Sequence, residues 1–424
     1  MTEPLAVNAP VEEIDLSKLR QPYSKKLAWT LGLAALGLYV GGTGIGVIAQ
    51  VQLQDLDNAN KVANLGTLSA IGAICALISL PLWGAFSDRI RSRWGRRNPL
   101  TFVGAFLLVA AAMVMAFAPS VLYLTIAFAI AEIAIGAVLA PLSAVIPDRV
   151  PVVARGFVSA ILGLGVMVGI AVGSVLGASL AKTNIPLAYA GLSAVILIAL
   201  LLFVFLNPDA SSKDAPRQGF SFAQFLRSYW VNPRKYPDFA WVFFGRAFMF
   251  LGYFAVNTYA LYILEDYIGM SQKKALGEVP VLAIASFIGI LVSILLSGWW
   301  SDRIGRRKPF VIASSIICAI GVVVPFLVPT VPGMIAYSLI TGAGYGCYLS
   351  IDNALITQVL PSQADAAKDL GVAAIGSSVA TVIAPLIASR IVDITGQDYK
   401  PLFLVACGVS IVGAILIMPV KHVR

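Results

Sequence analysis

Three ionisable side chains interrupt apolar stretches of this chain and are the first candidates for chemistry. They are Glu132, Arg246 and Asp352. A charge near the centre of a bilayer costs about 3 kcal/mol on insertion scales, so each needs a partner or a function. A buried carboxylic acid can take up and release a proton, which would let Glu132 carry one across the membrane. Arg246 could bind an anionic group, pair with Glu132, or pair with Asp352.

The apolar stretches around these residues are long enough to be transmembrane helices. About 20 residues are needed to cross the hydrocarbon core as a helix. The pattern predicts twelve spans, at residues 27–50, 62–86, 99–118, 121–146, 156–181, 186–206, 238–264, 279–300, 310–328, 333–355, 370–392 and 402–419. Glu132 then lies near the middle of helix 4, Arg246 a third of the way along helix 7, and Asp352 near one end of helix 10.

Composition excludes a soluble protein. Hydrophobic residues make up 59% of the chain and charged residues 12%, with a mean hydropathy of +0.87. The net charge of +9 lies in short loops between apolar stretches, so it indicates topology and not nucleic-acid binding. Lys and Arg are about fourfold more frequent in the loops on one side, which predicts that both termini are cytoplasmic. The four cysteines are dispersed singly through apolar segments, which predicts packing roles and no metal site.

One loop motif occurs twice, at residues 84–97 and 298–307, and both its Gly and its Asp recur 214 positions later. Glycine and arginine can cap a helix end and anchor it at an anionic membrane surface. The carboxylates would pair with arginines or with a helix end of the opposite half, and such contacts could hold a gate shut. We assign a gating role to Gly84, Asp88, Arg89, Gly95, Arg96, Arg97, Gly298, Asp302, Arg303, Gly305, Arg306, Arg307 and Asp352.

The duplicated loops resemble the signature of the major facilitator superfamily, and the resemblance covers the whole chain. It implies an all-α membrane protein with two six-helix bundles, at residues 27–206 and 238–419, and a cavity lined by helices 1, 4, 7 and 10. The tails would be residues 1–26 and 420–424. The linker, 207–237, turns aromatic after residue 220, which predicts a short helix on the inner membrane surface or, alternatively, a disordered loop.

The first loop is four residues longer than the second and is similar to that of the glycoside and sucrose cation symporters. That likeness implies that an acid in helix 4 carries the coupled proton, and Glu132 is the only acid in this helix. A structural Glu132, hydrogen-bonded to another helix, is the alternative. The only histidine, His422, lies in the tail, so imidazole cannot carry a proton through this membrane domain.

Polar and aromatic side chains follow helical spacing on three of the cavity helices. They are Tyr39, Thr43, Gln50 and Gln54 on helix 1, Arg246, Phe250, Tyr253 and Asn257 on helix 7, and Thr341, Tyr345, Tyr348 and Asp352 on helix 10. Rings and polar tips suit a polyhydroxylated ligand; the alternative is that the tyrosines are interfacial anchors. For Asp352, pairing with Arg303 or Arg306 of the loop motif is favoured over pairing with Arg246.

Together these features predict a plasma-membrane transporter that moves a sugar or glycoside by proton-coupled alternating access. The alternative is an exporter of drugs or metabolites by proton antiport. Sodium is the alternative coupling ion, and no cofactor, nucleic acid or protein partner is expected; the protein would function as a monomer among membrane lipids. An enzyme or receptor is disfavoured, because the sequence has no phosphate-binding loop, His/Cys cluster, catalytic serine motif or appended signalling domain.

Overall fold

The protein is an all-α membrane protein, seen here in a computed structural model that describes residues 25–213, 233–358 and 366–420. In these ranges twelve helices are long and apolar enough to cross a membrane, which confirms the predicted spans. They are α1 (Lys25–Leu56), α2 (Lys61–Ser87), α3 (Asn98–Ala116), α4 (Val121–Arg149), α5 (Val152–Leu180), α6 (Ile185–Leu206), α7 (Pro237–Asn257), α8 (Gln272–Ile304), α9 (Lys308–Leu327), α10 (Val331–Gln358), α11 (Ala366–Ile394) and α12 (Lys400–Ile417). Several extend beyond the predicted spans, because a helix that leaves the hydrocarbon keeps its internal hydrogen bonds.

Helix packing repeats with an offset of six helices, as expected for a duplicated chain. In the first half α1 packs on α5 and α6, and α4 packs on α2 and α3. In the second half α7 packs on α11 and α12, and α10 packs on α8 and α9. The two bundles meet mainly through α2 against α11 and α5 against α8, which are themselves equivalent pairs.

The α1–α5 contact is close because glycines line it. A Cβ added to Gly165 would collide with the backbone of Gly32, and one added to Gly177 would lie 2.7 Å from the Gly44 Cα. Small residues at this spacing let two helix backbones approach each other within a membrane. The first bundle is therefore held by backbone packing along one face of α5.

The seventh span differs from its prediction. The hydrophobic run 238–264 predicts one continuous helix, whereas α7 ends at Asn257 and is followed by a short helix, Ala260–Tyr262, and a π-helical turn, Ile263–Tyr267. The Ile268 amide donates to the Ile263 carbonyl at 3.0 Å, which is the wider spacing of a π turn. Hydrophobicity alone carries no signal for such a break.

The two ends of the helices form two opposite faces of the molecule. The motif face is the end of the helices that carries residues 88–97 and 305–307, and the distal face is the opposite end, with residues 57–60 and 263–271. The N-terminal tail, the predicted surface helix of the linker and His422 lie outside the described residues. So does the side chain of Asp302.

Candidate functional site

An ion pair between α7 and α10 is the most buried charged feature of the second half. Arg246 Nη1 lies 2.6 Å from Asp352 Oδ2, and the two side chains are 12% and 3% exposed. Arg246 Nε and Asp352 Oδ1 are buried and have no hydrogen-bond partner among the described residues. The sequence favoured Arg303 or Arg306 as the partner of Asp352; in the structure its partner is Arg246, and Arg303 instead lies over the Trp299 ring.

Aromatic rings surround this pair. Tyr253 and Tyr345 are stacked, with ring centroids 4.5 Å apart and planes 13° from parallel. The ring of Phe250 packs edge-on against those of Tyr345 and Tyr348, at 5.5 and 5.9 Å. The Arg246 guanidinium lies 5.6 Å from the Phe250 ring centroid. The second half thus combines a hydrogen-bond donor, the Arg246 guanidinium, and an acceptor, the Asp352 carboxylate, with several aromatic rings around them.

Glu132 is the corresponding charged residue of the first half. It lies on α4 against Gly72 of α2, where an added Cβ would come within 3.3 Å of Glu132 Cγ. It is close enough to Tyr39 and Cys75 to act on them electrostatically. Within the described part of the chain no ion pair or hydrogen bond to its carboxylate is present. Its side chain is partly buried and has no fixed partner.

Tyr39 of α1 lies near Glu132 of α4 and near Tyr345 of α10. The helices α1, α4, α7 and α10 therefore converge, as the resemblance implied. Beside Glu132, an apolar cavity of about 420 Å³ is lined by Ile133 and by α2 residues from Cys75 to Phe86, which lead towards the motif face.

Some predicted cavity residues lie elsewhere. Thr43 packs against Gly173 of α5, and the Thr341 hydroxyl donates to the Tyr337 carbonyl of its own helix at 2.7 Å. The Gln50 carbonyl accepts a hydrogen bond from Tyr262, and the Gln54 amide oxygen accepts one from Gln272, both at the distal face. Asn257 ends α7 and is exposed. Thr43 therefore faces α5 and Thr341 bonds within its own helix, while the other three residues lie towards the distal end of their helices.

The first motif loop is held within its own half. Arg97, whose side chain is 7% exposed, lies 2.8 Å from Asp88 and 2.8 Å from Asp148, and Arg96 lies 3.0 Å from Asp148. Gly95 has a φ of 78°, which favours glycine. The next two amides donate to Asp209 Oδ2 at 3.2 and 3.3 Å. The partner of the Asp88 carboxylate is therefore an arginine of the same loop and not the opposite half.

The second motif loop is shorter and differently held. Gly305, with a φ of 65°, ends α8 in the left-handed conformation, and its amide donates to the Ser301 carbonyl. Lys308 Nζ donates to the carbonyls of Met418 and Val420 at 2.6 and 2.7 Å. A Cβ added at Gly84 or Gly298 would meet no atom within 4 Å, so packing does not require glycine there in this conformation.

The distal face carries polar contacts that sequence reasoning missed. Lys61 at the start of α2 pairs with Glu265 and Asp266 of the π turn. The Tyr259 hydroxyl, in the turn after α7, lies 2.8 Å from the Pro385 carbonyl of α11 and 3.3 Å from the Val62 carbonyl of α2. Lys61, Glu265 and Asp266 flank predicted spans, where a hydropathy pattern does not distinguish these charges from those of any other loop. These contacts join the two halves at the distal face, so the bundles are in direct contact there.

Comparisons of this chain with protein-family models and with solved structures agree with the fold described above. A family model described as Major Facilitator Superfamily matches residues 31–289 and 270–424. A nucleoside transporter, NupG, in the structure of a point mutant, is similar at a TM-score of 0.73 and 15% identity, over 93% of this chain and 99% of that chain. A bacterial homologue of the human lysosomal transporter Spinster, in an inward-facing, unoccupied conformation, is similar at a TM-score of 0.64 and 16% identity, over 94% and 96%. No curated protein sequence matches the chain significantly.

The match to the family model spans nearly the whole chain, and the twelve helices repeat in two halves around facing charged centres. Such an arrangement is that of a multi-pass membrane transporter and not of an enzyme. The chain belongs to the major facilitator superfamily.

Proposed function

We propose that this transporter moves a sugar or glycoside across the plasma membrane together with a proton, with the motif face in the cytoplasm. The observation that carries the proposal is the contrast between the two charged centres. Glu132 has no fixed partner in the described part of the first half, while Arg246 and Asp352 pair with each other 2.6 Å apart in the second. Glu132 can therefore bind and release a proton, while Arg246 and Asp352 bind the solute.

The Arg246–Asp352 pair supports a polyhydroxylated solute. Arg246 Nε and Asp352 Oδ1 are buried and meet no hydrogen-bond partner in the part of the chain that the structure describes. Neighbouring hydroxyl groups of a sugar both donate and accept, so they can satisfy both atoms at once. The stacked Tyr253 and Tyr345 rings supply apolar surface for the C–H faces of the solute. An uncharged ligand also leaves the ion pair intact.

Proton coupling through Glu132 is supported by the pairing of Arg246 with Asp352, which leaves Glu132 without an arginine partner among the described residues. An arginine beside Glu132 would hold that carboxylate in its charged form, but Arg246 is engaged by Asp352. Tyr39 is near both Glu132 and Tyr345, so solute bound near Tyr345 can influence the protonation of Glu132 through this side chain. With the distal face closed, the arrangement corresponds to the state that releases solute to the cytoplasm.

Uptake into proteoliposomes tests this function. A panel of monosaccharides, disaccharides and nucleosides, which are N-glycosides like the cargo named for NupG, is screened with and without an inward proton gradient. We expect the gradient to drive accumulation of one class. Glu132→Gln should lose about tenfold or more of this gradient-driven uptake and keep exchange of solute against solute. Asp352→Asn should lose both, and Glu278→Gln, on α8 near the distal face, is the matched control.

Two results would contradict the proposal. Uptake that ignores the gradient and is unchanged in Glu132→Gln removes the proton coupling. Transport of apolar drugs outward, with no response to any sugar or nucleoside, supports the antiport exporter instead.

A further inference from the structure

We infer that a cluster at the distal face, the distal latch, holds the two bundles closed there and must break each time the transporter opens to that side. The distal latch consists of Lys61 from the first half and Glu265, Asp266 and Tyr399 from the second. This inference rests on the transporter fold alone. It does not depend on the solute or the coupling ion proposed above.

The geometry of the distal latch centres on one ammonium group shared by two carboxylates. Lys61 Nζ lies 3.0 Å from Glu265 Oε2 and 2.8 Å from Asp266 Oδ1, and the side chains of Lys61 and Glu265 are 9% and 5% exposed. The Tyr399 hydroxyl donates to Asp266 Oδ2 at 3.0 Å. Burial, with the neighbouring Asp266 carboxylate, raises the pKa of Tyr399, so its hydroxyl stays a donor.

The π turn after α7 carries both acids that contact Lys61, Glu265 and Asp266. The residue before this turn, Tyr262, also lies at Lys61. Its ring centroid is 4.9 Å from Lys61 Nζ, and its hydroxyl donates to the Gln50 carbonyl of α1 at 2.8 Å. The break in α7 thus forms a binding surface for the other bundle.

The energetics suit a reversible contact. Removing Lys61 and Glu265 from water offsets most of their attraction, so an intact buried pair adds little net stability, while a single unpaired charge is costly. Glu265 Oε1 is buried without a hydrogen-bond partner, which raises that cost further. When the distal face opens, water can solvate all the polar groups of the distal latch. The distal latch therefore determines how the two bundles align when the distal face closes, and it still allows that face to open.

Distances between spin labels test the inference directly. The four native cysteines are replaced, and spin labels are attached at Ala59→Cys in the first bundle and Ser271→Cys in the second. Both positions are exposed at the distal face. The full chain is measured in nanodiscs. The ratio of long to short distances reports distal opening. Lys61→Met leaves two carboxylates facing each other, and we expect the ratio to rise about tenfold or more. Lys273→Met, an exposed lysine of the same face, should leave it unchanged.

Two further variants make the test specific to charge pairing. The exchange Lys61→Glu with Glu265→Lys again places one cation beside two carboxylates, and it should return the ratio to within about threefold of the parent. If Lys61→Met does not fold, Glu265→Gln keeps the side-chain size and should raise the ratio by about threefold. An unchanged ratio in the folded variants, or an exchange that fails to restore closure, overturns the inference.

Discussion

The two faces of the molecule use polar groups in opposite ways. At the motif face, Arg97, Asp88 and Asp148 bind one another within the first bundle. At the distal face, Lys61 and Glu265 bind across the bundle interface. Contacts within a bundle survive a rigid-body rotation, whereas contacts between bundles must be exchanged for others. The charged contacts that cross the interface at the distal face must therefore break before that face can open.

The comparison also clarifies the duplicated motif. In this state the first copy of the motif stabilises its own bundle, with Arg97 paired to Asp88 and Asp148. Any contact from Asp88 to the opposite half would have to form in another state. The observed role of the first copy is therefore structural, and its gating role stays a prediction.

The largest effect should come from breaking the network within the first bundle. Asp148→Ala removes the main partner of Arg97, whose side chain is 7% exposed, so we expect the free energy of unfolding to fall by about 3 kcal/mol. Thermal unfolding measures the loss, and Asp148→Asn, which still accepts hydrogen bonds, should lose less. The spin-label distances across the distal face should not change. A shift in those distances, with no loss of stability, would mean that this network acts between the bundles.

A steric change at the interface should have the next largest effect. A Cβ at Gly66 of α2 would lie 2.6 Å from Ser389 Oγ of α11 and 2.9 Å from the Tyr259 hydroxyl. Gly66→Ala should therefore push the bundles apart distally, at a cost of about 2 kcal/mol to the closed state, and raise the ratio of long to short distances. Gly163→Ala, where the added Cβ meets nothing within 4 Å, is the control. Equal ratios in the two variants would show that α2 and α11 separate without using this contact.

The smallest effect should follow from removing one hydroxyl. Tyr259→Phe deletes the donor to the Pro385 and Val62 carbonyls and keeps the ring in place. Because one neutral hydrogen bond contributes about 1 kcal/mol, we expect the distal face to open about fivefold more often in the same distance measurement. Tyr123→Phe, on an exposed ring, should behave like the parent. A response as large as that of Lys61→Met would place Tyr259 in the distal latch itself.

The sequence predicted the helices well and the contacts less well. Apolar length alone located twelve spans, because crossing a bilayer leaves little freedom in composition. The resemblance to the superfamily then implied that the helices carrying Glu132, Arg246 and Asp352 line one cavity. The sequence favoured Arg303 or Arg306 over the observed Arg246 as the partner of Asp352, because depth along a helix does not specify rotation about its axis. Lys61, Glu265 and Asp266 were missed because their meaning depends on which helix ends meet across the interface.

The short segment after α6, residues 207–213, is hydrogen-bonded to the first motif loop, and this decides what a label on it can measure. Asp209 accepts hydrogen bonds from the first motif loop, and the Ser212 hydroxyl donates to the Ile90 carbonyl at 3.0 Å. The Ser92 amide in turn donates to the Ser212 hydroxyl. Residues 207–213 thus travel with the first bundle, although they follow its last helix. A label placed there will report the position of the first bundle.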